Sequence, residues 1–362
     1  MRVALVAPLV APLRAAQTGG TQTVVAELAR GLAERGVDVD LIAARGSSVP
    51  GVRVRAAGGP FPEELLHPGP GGDGRADAAA WPSAQAAAYL HLATGLRSQV
   101  PPPDVVHAHA MDWPSFYALA ATGLPTVHTL HLPPLDPAAA RAAAAAAEAR
   151  PRPRFVAVSR ACAEQWRELV PVDAVVANGL DPASIAFAAR PEPDLAIVAG
   201  RIAPEKGTHL AIAAARRAGM RVLLAGSVYD PAYYREQVAP LLGDGVEVRG
   251  PQPRRRLAML YGRAAVAVVA SQWEEPFGMV ALEANLAGTP VAGLARGGLP
   301  EVVGGGGGVL TPRATVAALA RAIREASALD RARVRRAAAR RFPLSRTLDR
   351  YQRLYESLAA RR

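Results

Sequence analysis

Length, composition and charge already exclude several classes of protein. The chain has 362 residues, of which half are hydrophobic and a fifth are charged, and this balance excludes an intrinsically disordered protein. Its length suits two domains of ordinary size. The single cysteine, Cys162, excludes a disulfide framework and thiolate-bound zinc or iron–sulfur sites, and it indicates a reducing compartment. We therefore expect a two-domain cytoplasmic protein.

The formal net charge is +11, and all but one of the 42 basic residues are arginine; the exception is Lys206. A basic chain can attract nucleic acid, anionic lipid or a phosphorylated small molecule. Arg and Ala are frequent along the whole chain, as a GC-rich coding sequence would make them, and only 5% of the residues are aromatic. Because stacking platforms are scarce, we expect no nucleic-acid partner, and association with a membrane surface is not favoured.

The predicted elements begin with a buried strand over Val3–Ala7. The start of the chain loosely resembles a signal peptide, but Pro8 and Pro12 interrupt the apolar run and no cleavage motif follows. No apolar run reaches the ~18 residues of a membrane span. A helix is predicted over Thr21–Arg35, where apolar side chains recur at every fourth position.

The rest of the first half alternates between strands and other elements. A strand over Val37–Leu41 comes first, and the Pro- and Gly-rich stretch Gly58–Asp77 predicts a long surface loop. Four further strands are predicted: Asp104–His109, Thr126–His131, Phe155–Ser159 and Ala174–Ala177.

A second series of elements follows an aperiodic segment, Asn178–Asp194, which we interpret as a linker. Its predicted strands are Leu195–Gly200, Arg221–Gly226, Val246–Gly250, Ala265–Ser271 and Pro290–Leu294. Gly304–Gly308 predicts a flexible turn. Pro343–Arg362 predicts a helix with one apolar face, which can pack back on the first domain.

This alternation is typical of parallel βαβ units. We therefore expect an α/β protein with two doubly wound, Rossmann-like domains and a ligand cleft between them. The predicted domains cover residues 1–182 and 183–342, and the C-terminal helix covers 343–362.

Gly19 and Gly20 come just before the first predicted helix. Glycines let the backbone approach a ligand closely, and the free N–H groups of a first helical turn attract anions. An ordinary strand–helix turn would use the same residues, so the pair alone leaves both interpretations open.

Arg201 and Lys206 lie in one loop, GRIAPEKG, directly after the first strand of the second half. Two cations beside the start of a helix indicate a diphosphate site. A solvated loop with two surface cations is the alternative, and the scarcity of lysine elsewhere makes that alternative less favoured.

Glu275 and Glu283 have seven residues between them, and a helix is predicted to start near Gly278. A carboxylate inside that helix can accept hydrogen bonds from both hydroxyls of a ribose. One in the preceding loop can hold sugar hydroxyls. Acidic residues at a helix start also serve simply as partners of the helix dipole.

Four histidines lie on two neighbouring predicted strands: His107, His109, His128 and His131. Metal binding needs a third ligand and an open position, and His128 and His131 should point to opposite faces. We therefore predict no metal there and a substrate contact for His131, at the end of its strand.

Taken together, these segments resemble the retaining glycosyltransferases of family 4, which have the GT-B fold. The resemblance rests on GGTQTVVAELARGLAERGVDV, on GRIAPEKG and on EPFGMVALEANLAGTPV with the following GGLPEVV. It spans nearly the whole chain and is weakest over residues 45–100. Its specific part is the R-x4-K pair together with the E-x7-E motif.

The resemblance implies a role for each matching residue. Arg201 and Lys206 would bind the diphosphate of a nucleotide-sugar donor, and Glu283 would hold its ribose. Gly19 and Gly20 would approach the diphosphate from the other domain. The transferred sugar would be held by Glu275, by His131 and by the backbone of Phe277, Gly278, Met279 and Val280. The nucleobase region would include Gly250 and Pro251, which do not indicate a particular base.

The chain departs from the family pattern after its first helix. Many members carry His-x-Val there, whereas this chain has Val37-Asp38-Val39-Asp40. A D-x-D string is how metal-dependent GT-A enzymes hold manganese, but this one lies on a second strand without the matching context. We predict no metal and no other cofactor.

The implied mechanism needs no metal, because Arg201, Lys206 and helix N-termini can stabilise the departing nucleotide. The two carboxylates of a double displacement are not evident, since Glu275 is assigned to sugar hydroxyls. We expect retention by front-face attack, with a donor phosphate oxygen taking the acceptor's proton. The predicted catalytic residues are His131, Glu275, Arg201 and Lys206. The donor base, the sugar and the acceptor stay open.

Other functions remain as alternatives. A sugar-nucleotide epimerase can share the fold, since fold does not determine function. A phosphorylase would need a lysine for pyridoxal phosphate, and the only lysine is already assigned. A non-catalytic adaptor could bind anionic membranes through Arg331–Arg341, although a solvated helix face is the favoured interpretation of that arginine run.

Overall fold

The computed structural model describes residues 1–14, 19–61 and 80–360. The chain divides into two compact units: the first contains Met1–Ala177 and Leu344–Arg362, and the second contains Asn178–Pro343. The domain boundaries predicted from the sequence, at 182/183 and 342/343, lie within a few residues of these divisions.

The described part of the first unit contains seven parallel strands. They are β1 (Arg2–Val6), β2 (Asp38–Ala43), β3 (Arg53–Ala56), β4 (Val105–Ala108), β5 (Thr126–Leu130), β6 (Arg154–Ala157) and β7 (Val172–Val175). The helices are α1 (Gly20–Glu34), α2 (Ala80–Arg97), α3 (Trp113–Ala120), α4 (Pro137–Ala147) and α5 (Arg160–Trp166). The strand order is β3-β2-β1-β4-β5-β6-β7, so the direction of winding reverses between β1 and β4. Doubly wound sheets bind ligands at such a reversal, beyond the carboxyl ends of the strands.

The second unit contains six parallel strands. They are β8 (Glu192–Ala199), β9 (Arg221–Ala225), β10 (Val246–Val248), β11 (Ala264–Val269), β12 (Val291–Leu294) and β13 (Gly308–Thr311). Its helices are α6 (Thr208–Arg217), α7 (Pro231–Tyr233), α8 (Arg254–Arg263), α9 (Met279–Leu286), α10 (Leu299–Val303), α11 (Val316–Ser327) and α12 (Arg331–Arg341). The order β10-β9-β8-β11-β12-β13 reverses between β8 and β11. Both units are therefore doubly wound α/β sheets, as predicted.

The last helix, α13 (Leu344–Ala359), belongs to the first unit. Its side chains Leu348, Tyr351 and Tyr355 are buried in one apolar cluster with residues of α1 and β1. The two helices approach closely at Gly31 of α1, where a Cβ atom would lie 2.7 Å from Leu348 Cδ1. The predicted return of the C-terminal helix to the first domain is confirmed.

Two of the described strands, β3 and β13, were not predicted from the sequence. Strand β3 reads RVRA and lies at an exposed edge of its sheet, so it lacks the apolar run by which the other strands were predicted. Strand β13 begins at Gly308, which was assigned to a flexible turn; the Gly308 backbone lies so close to Val291 that a Cβ would fall 1.9 Å from the Val291 oxygen. The glycine is needed for strand pairing.

The linker predicted over Asn178–Asp194 is wrong in part. Strand β8 already begins at Glu192, and Leu180 forms an isolated bridge with Pro343. Most of the loop predicted over Gly58–Asp77 lies outside the described residues, which resume at the start of α2.

Three of the arginines of helix α12 hydrogen-bond the protein backbone instead of facing solvent. The Arg331 side chain is 9% exposed and donates to the backbone oxygens of Ala188, Gly262 and Ala264. Arg335 and Arg341 likewise donate to backbone oxygens of the second unit. The interpretation as a solvated face is wrong for these three residues, because guanidinium groups with several donors can satisfy the carbonyl groups at helix and strand ends. For the same reason, these three arginines are not available to the membrane-binding patch of the adaptor alternative.

No helix in the described part of the chain is both long enough and apolar enough to cross a lipid bilayer.

Candidate functional site

The predicted donor-binding segments meet at the reversal point of the second sheet. One loop, Gly200–Gly207, follows β8, and the other, Ala270–Gly278, follows β11, the neighbour of β8. The two loops are joined directly, since the Gln272 amide donates to the Glu205 oxygen at 2.8 Å. Gly207 has φ 61°, and a Cβ there would lie 2.2 Å from the Ala270 oxygen, so the loops can approach this closely only at a glycine.

Lys206 and Glu275 form a charge pair between these loops. The Lys206 Nζ lies 2.9 and 3.2 Å from the two Glu275 carboxylate oxygens, and it also lies 4.6 Å from the centre of the Trp273 ring. Two more donors hold the same carboxylate: the Ser271 hydroxyl at 2.8 Å and Trp273 Nε1 at 2.9 Å. We call Lys206, Ser271, Trp273 and Glu275 the Lys206 cluster.

The protonation state of Glu275 follows from these contacts. Burial alone would raise the pKa of Glu275, but Lys206, Ser271 and Trp273 outweigh burial and hold the pKa below its usual value. Glu275 is therefore a carboxylate at neutral pH and can accept further hydrogen bonds.

Arg201 lies in the same loop as Lys206. Its guanidinium group lies 4.6 Å from the centre of the Tyr229 ring and 3.5 Å from a Glu205 carboxylate oxygen. The structure thus brings both predicted cations to the carboxyl end of β8, with an aromatic face under each of them. Tyr229 and Trp273 were not predicted. The only signal for Trp273 in the sequence was that an aromatic residue lies two positions before Glu275.

A glycine pair before α10 supports the Glu275 loop. Gly297, at φ 52°, donates from its amide to a Glu274 carboxylate oxygen, and Gly298 donates to the Glu275 backbone oxygen at 2.6 Å. A Cβ on Gly297 would lie 2.2 Å from the Glu275 oxygen. The pair belongs to the GGLPEVV segment of the sequence, and its supporting role was not predicted.

Glu283 occupies the second turn of α9, which begins after Gly278 at φ 107°. Only 12% of the Glu283 side chain is exposed, and a carboxylate oxygen lies 3.4 Å from Arg254 Nε. Burial raises the pKa of Glu283 despite Arg254. Arg254 opens α8 and was not predicted, although the run of three arginines at that point of the sequence was visible.

The remaining predicted residues of the second unit lie along the same sheet edge. Phe277 is buried and packs its ring edge-to-face against Phe342, with 5.7 Å between the ring centroids. Met279 and Val280 form the first turn of α9, whose N–H groups have no partner inside the helix. Gly250 and Pro251 follow β10, two strands away from β8.

In the first unit, Gly20 is the first residue of α1 and Gly19 is its N-cap. The four residues before Gly19 lie outside the described ranges. The structure therefore places this pair at a helix start, as predicted, and its approach to a ligand stays a prediction.

The four histidines are all buried: His107 lies within β4 and His128 within β5, and His109 and His131 follow those strands. His109 Nδ1 lies 2.8 Å from His131 Nε2, whereas His107 bonds the Tyr355 hydroxyl at 2.6 Å and the Thr129 hydroxyl at 2.7 Å. His128 lies between the rings of Phe116 and Phe155. His128 and His131 thus have different neighbours, and that they point to opposite faces of the sheet stays a prediction.

Burial lowers the pKa of all four imidazoles, to about 3 for His128 and for His131. They are neutral at neutral pH.

Both aspartates of the D-x-D string are engaged in ion pairs. Asp38 pairs with Arg53 at 2.9 Å, and Asp40 pairs with Arg55. Among residues 1–14, 19–61 and 80–360, no three His, Cys, Asp or Glu side chains are grouped so that they could hold a metal ion.

Comparison with known protein families gives two matches that divide the chain. A model described as Glycosyltransferase Family 4 matches residues 18–184, and one described as Glycosyl transferases group 1 matches residues 184–341.

Two of the curated relatives carry the same name. A D-inositol 3-phosphate glycosyltransferase of Mycobacterium avium is 32% identical over 83% of this chain and 79% of its own length. A protein of the same name from Mycobacteroides abscessus is 41% identical, but only over 32% of this chain and 28% of its own length.

Solved structures resemble the chain along nearly its whole length. The glycosyltransferase AviGT4, involved in avilamycin A biosynthesis, is 27% identical, with a TM-score of 0.71 and coverage of 99% of this chain and 98% of its own. Sucrose-phosphate synthase of Thermosynechococcus elongatus is 22% identical, with full coverage of both chains and a TM-score of 0.80. HepE of Anabaena, solved with UDP-glucose, is 18% identical, covers 99% of this chain and 100% of its own, and has a TM-score of 0.73. The last two show similarity of fold.

Proposed function

The chain belongs to glycosyltransferase family 4, and on this premise we propose that it transfers a sugar from a nucleoside diphosphate donor to an acceptor hydroxyl or similar nucleophile, with retention at the anomeric carbon. The observation that carries the proposal is the Lys206–Glu275 pair beside Arg201, at the reversal point of the second sheet. A cation for the leaving group and a carboxylate for the sugar lie next to each other there.

Lys206 is proposed to bind the donor diphosphate. An ammonium group has three N–H donors, and two of them are directed at Glu275, which leaves one for a phosphate oxygen. Arg201 adds a planar guanidinium from the same loop, a group suited to phosphate. Negative charge that develops on the leaving nucleotide is thereby stabilised by fixed cations.

Glu275 is proposed to hold the hydroxyl groups of the transferred sugar. Its carboxylate is held by Lys206, Ser271 and Trp273, so it is fixed in position before a ligand arrives. A carboxylate engaged by three donors is a poor nucleophile. The proposed step is therefore a front-face displacement. The bond between the anomeric carbon and the phosphate oxygen breaks, and the acceptor oxygen bonds the same face of that carbon. The acceptor's proton passes to the departing phosphate.

The other roles follow the same pattern. Glu283 is proposed to accept from the ribose hydroxyls, and His131 of the first unit to contact the sugar. The step needs no metal, because the cations are supplied by side chains. HepE, a fold neighbour, was solved with UDP-glucose, which supports a nucleotide-sugar donor and leaves the base of this chain's donor open.

The test is a donor and acceptor panel. Purified protein is incubated with the glucose conjugates of UDP, GDP, ADP and TDP, with and without acceptors, and released nucleoside diphosphate is measured. D-inositol 3-phosphate enters the acceptor panel because relatives bear its name. We expect acceptor-dependent release that persists in EDTA and a product of retained configuration by NMR. Arg321→Ala, in an exposed part of α11, is the matched control and should keep full activity.

Three outcomes would contradict the proposal. Interconversion of the donor sugar without nucleotide release would indicate an epimerase. Binding to anionic liposomes without turnover would indicate an adaptor. Loss of activity in EDTA that added Mn²⁺ restores would contradict the metal-independent step.

A further inference from the structure

A histidine outside the predicted site touches the one histidine within it. His109 follows β4, and His131 follows the neighbouring strand β5. Their rings are 5.1 Å apart between centroids, and the His109 Nδ1 to His131 Nε2 distance of 2.8 Å is that of a hydrogen bond. His109 is fully buried, so it reaches a substrate only through His131.

The hydrogen bond between the two rings contains a single proton. Burial lowers the pKa of His109 and of His131, so both imidazoles are neutral and one of the two facing nitrogens carries the hydrogen. If His131 were the donor, the proton of His109 would lie on Nε2. That nitrogen is buried and has no hydrogen-bond partner within the described ranges, and orphaned buried N–H groups are rare.

The ring of His109 also packs against the ring of His107. The His107 ring lies 4.1 Å from it between centroids, and His107 is held by Tyr355 of α13 and by Thr129 of β5. Tyr351 of α13 bonds the same Thr129 hydroxyl at 2.8 Å. His109 therefore cannot rotate freely away from His131.

We propose that His109 is a positioning residue, which donates from Nδ1 to His131 Nε2 and so leaves His131 with its proton on Nδ1. His131 then has a donor, and not an acceptor, to offer to an oxygen of the transferred sugar. The inference rests on the proposed function for its effect on activity. The tautomer itself is a property of the resting protein and does not depend on it.

The first experiment reads the tautomer directly. Histidine-selective ¹⁵N labelling and long-range ¹H–¹⁵N NMR report which ring nitrogen is protonated, and the His131 signal is assigned by its loss in His131→Ala. We expect His131 to be protonated on Nδ1. Protonation of His131 on Nε2 would overturn the inference whether or not the protein transfers sugar.

The second experiment compares three variants in the transfer assay. His109→Phe keeps a ring but removes the donor, and we expect kcat to fall by ~10-fold or more while the donor KM changes by less than ~3-fold, since only the orientation of His131 is lost. His109→Asn places an amide N–H near the position of Nδ1, and we expect it to retain kcat within ~3-fold of the unmodified protein.

His128→Phe is the matched control. His128 is equally buried and lies on the neighbouring strand. Among the described residues its ring contacts Phe116 and Phe155, and neither of its ring nitrogens has a hydrogen-bond partner. It should keep full activity. If His109→Phe keeps full activity, or if His109→Asn loses as much as His109→Phe, the positioning role is wrong. A wild-type protein inactive on every donor would instead refute the proposed function and leave the NMR result standing.

Discussion

Lys206 is the residue on which charge, geometry and sequence composition converge. It is the only lysine of the chain, and it lies between a carboxylate and an indole ring. A compact ammonium group can point at a phosphate oxygen while it keeps both partners, whereas a planar guanidinium needs more room and a different hydrogen-bond geometry. The residue type is therefore matched to this position.

We expect Lys206→Arg to behave almost as badly as Lys206→Ala. Lys206→Ala removes the cation at the leaving group and should reduce kcat by ~10²-fold or more. Lys206→Arg restores the charge but not the fit, and should recover less than ~10-fold of that loss. Steady-state kinetics with the preferred donor measures both. Full activity of Lys206→Arg would show that any cation suffices, and Arg321→Ala controls for loss of an exposed charge.

Trp273 contributes two separable contacts to the Lys206 cluster. Its ring lies under the ammonium group, and its Nε1 donates to Glu275 at 2.9 Å. Trp273→Phe keeps the ring and removes the donor, so we expect kcat/KM to fall by ~10-fold, the size of one hydrogen bond to a charged group. Trp273→Leu removes both contacts and should fall further. Equal activity of the two variants would contradict a separate role for the ring.

At the scale of elements, loops after β8 and β11 are held in place by glycines. Gly207 allows the close contact with Ala270, and Gly297 allows the backbone before α10 to bond the Glu275 loop. The site is therefore supported by backbone contacts, which side-chain patterns in the sequence do not display.

We expect Gly297→Ala to impair transfer. Its φ of 52° disfavours a side chain, and the Cβ would lie 2.2 Å from the Glu275 oxygen, so the Glu275 loop must shift. The kcat should fall by ~10-fold or more, since small displacements at a reacting centre are costly. Gly219→Ala is the control, because Gly219 has φ 81° and a Cβ there meets open space. Comparable losses in both variants would attribute the effect to backbone strain alone.

The sequence predicted the elements whose side chains carry a pattern. Alternating apolar strands and the periodic helices α1 and α13 were recognisable, and so was the pair of loops containing Arg201, Lys206 and Glu275. Strand β3 was missed because two of its four residues are arginines, so it lacks the apolar run by which the other strands were predicted. Strand β13 was missed because its first residue is a glycine. Contacts between distant residues were also invisible: Trp273 with Lys206, Gly297 with Glu275, and the inward direction of Arg331 depend on tertiary packing.

At the scale of the whole molecule, the first unit buries four neutral histidines in or directly after two neighbouring strands, β4 and β5. Such groups couple folding to pH. In the folded protein, burial holds the pKa of His128 near 3, whereas the unfolded chain has the ordinary value of 6.5. Below pH 6.5 the unfolded state binds a proton that the folded state refuses, so acid favours unfolding. The stability is complete above pH 6.5 and is lost as the pH falls towards 3.

We expect His128→Phe to remove one such proton from this balance. Phe keeps the ring between Phe116 and Phe155 and does not titrate. Relative to the unmodified protein, the free energy of unfolding of the variant should rise by about 2 kcal/mol between pH 7 and pH 5. Asp112, whose pKa burial raises to about 6, acts in the opposite direction but is present in both proteins and cancels. Urea unfolding at several pH values measures the difference, and parallel pH profiles for the two proteins would show that His128 is already protonated in the folded state.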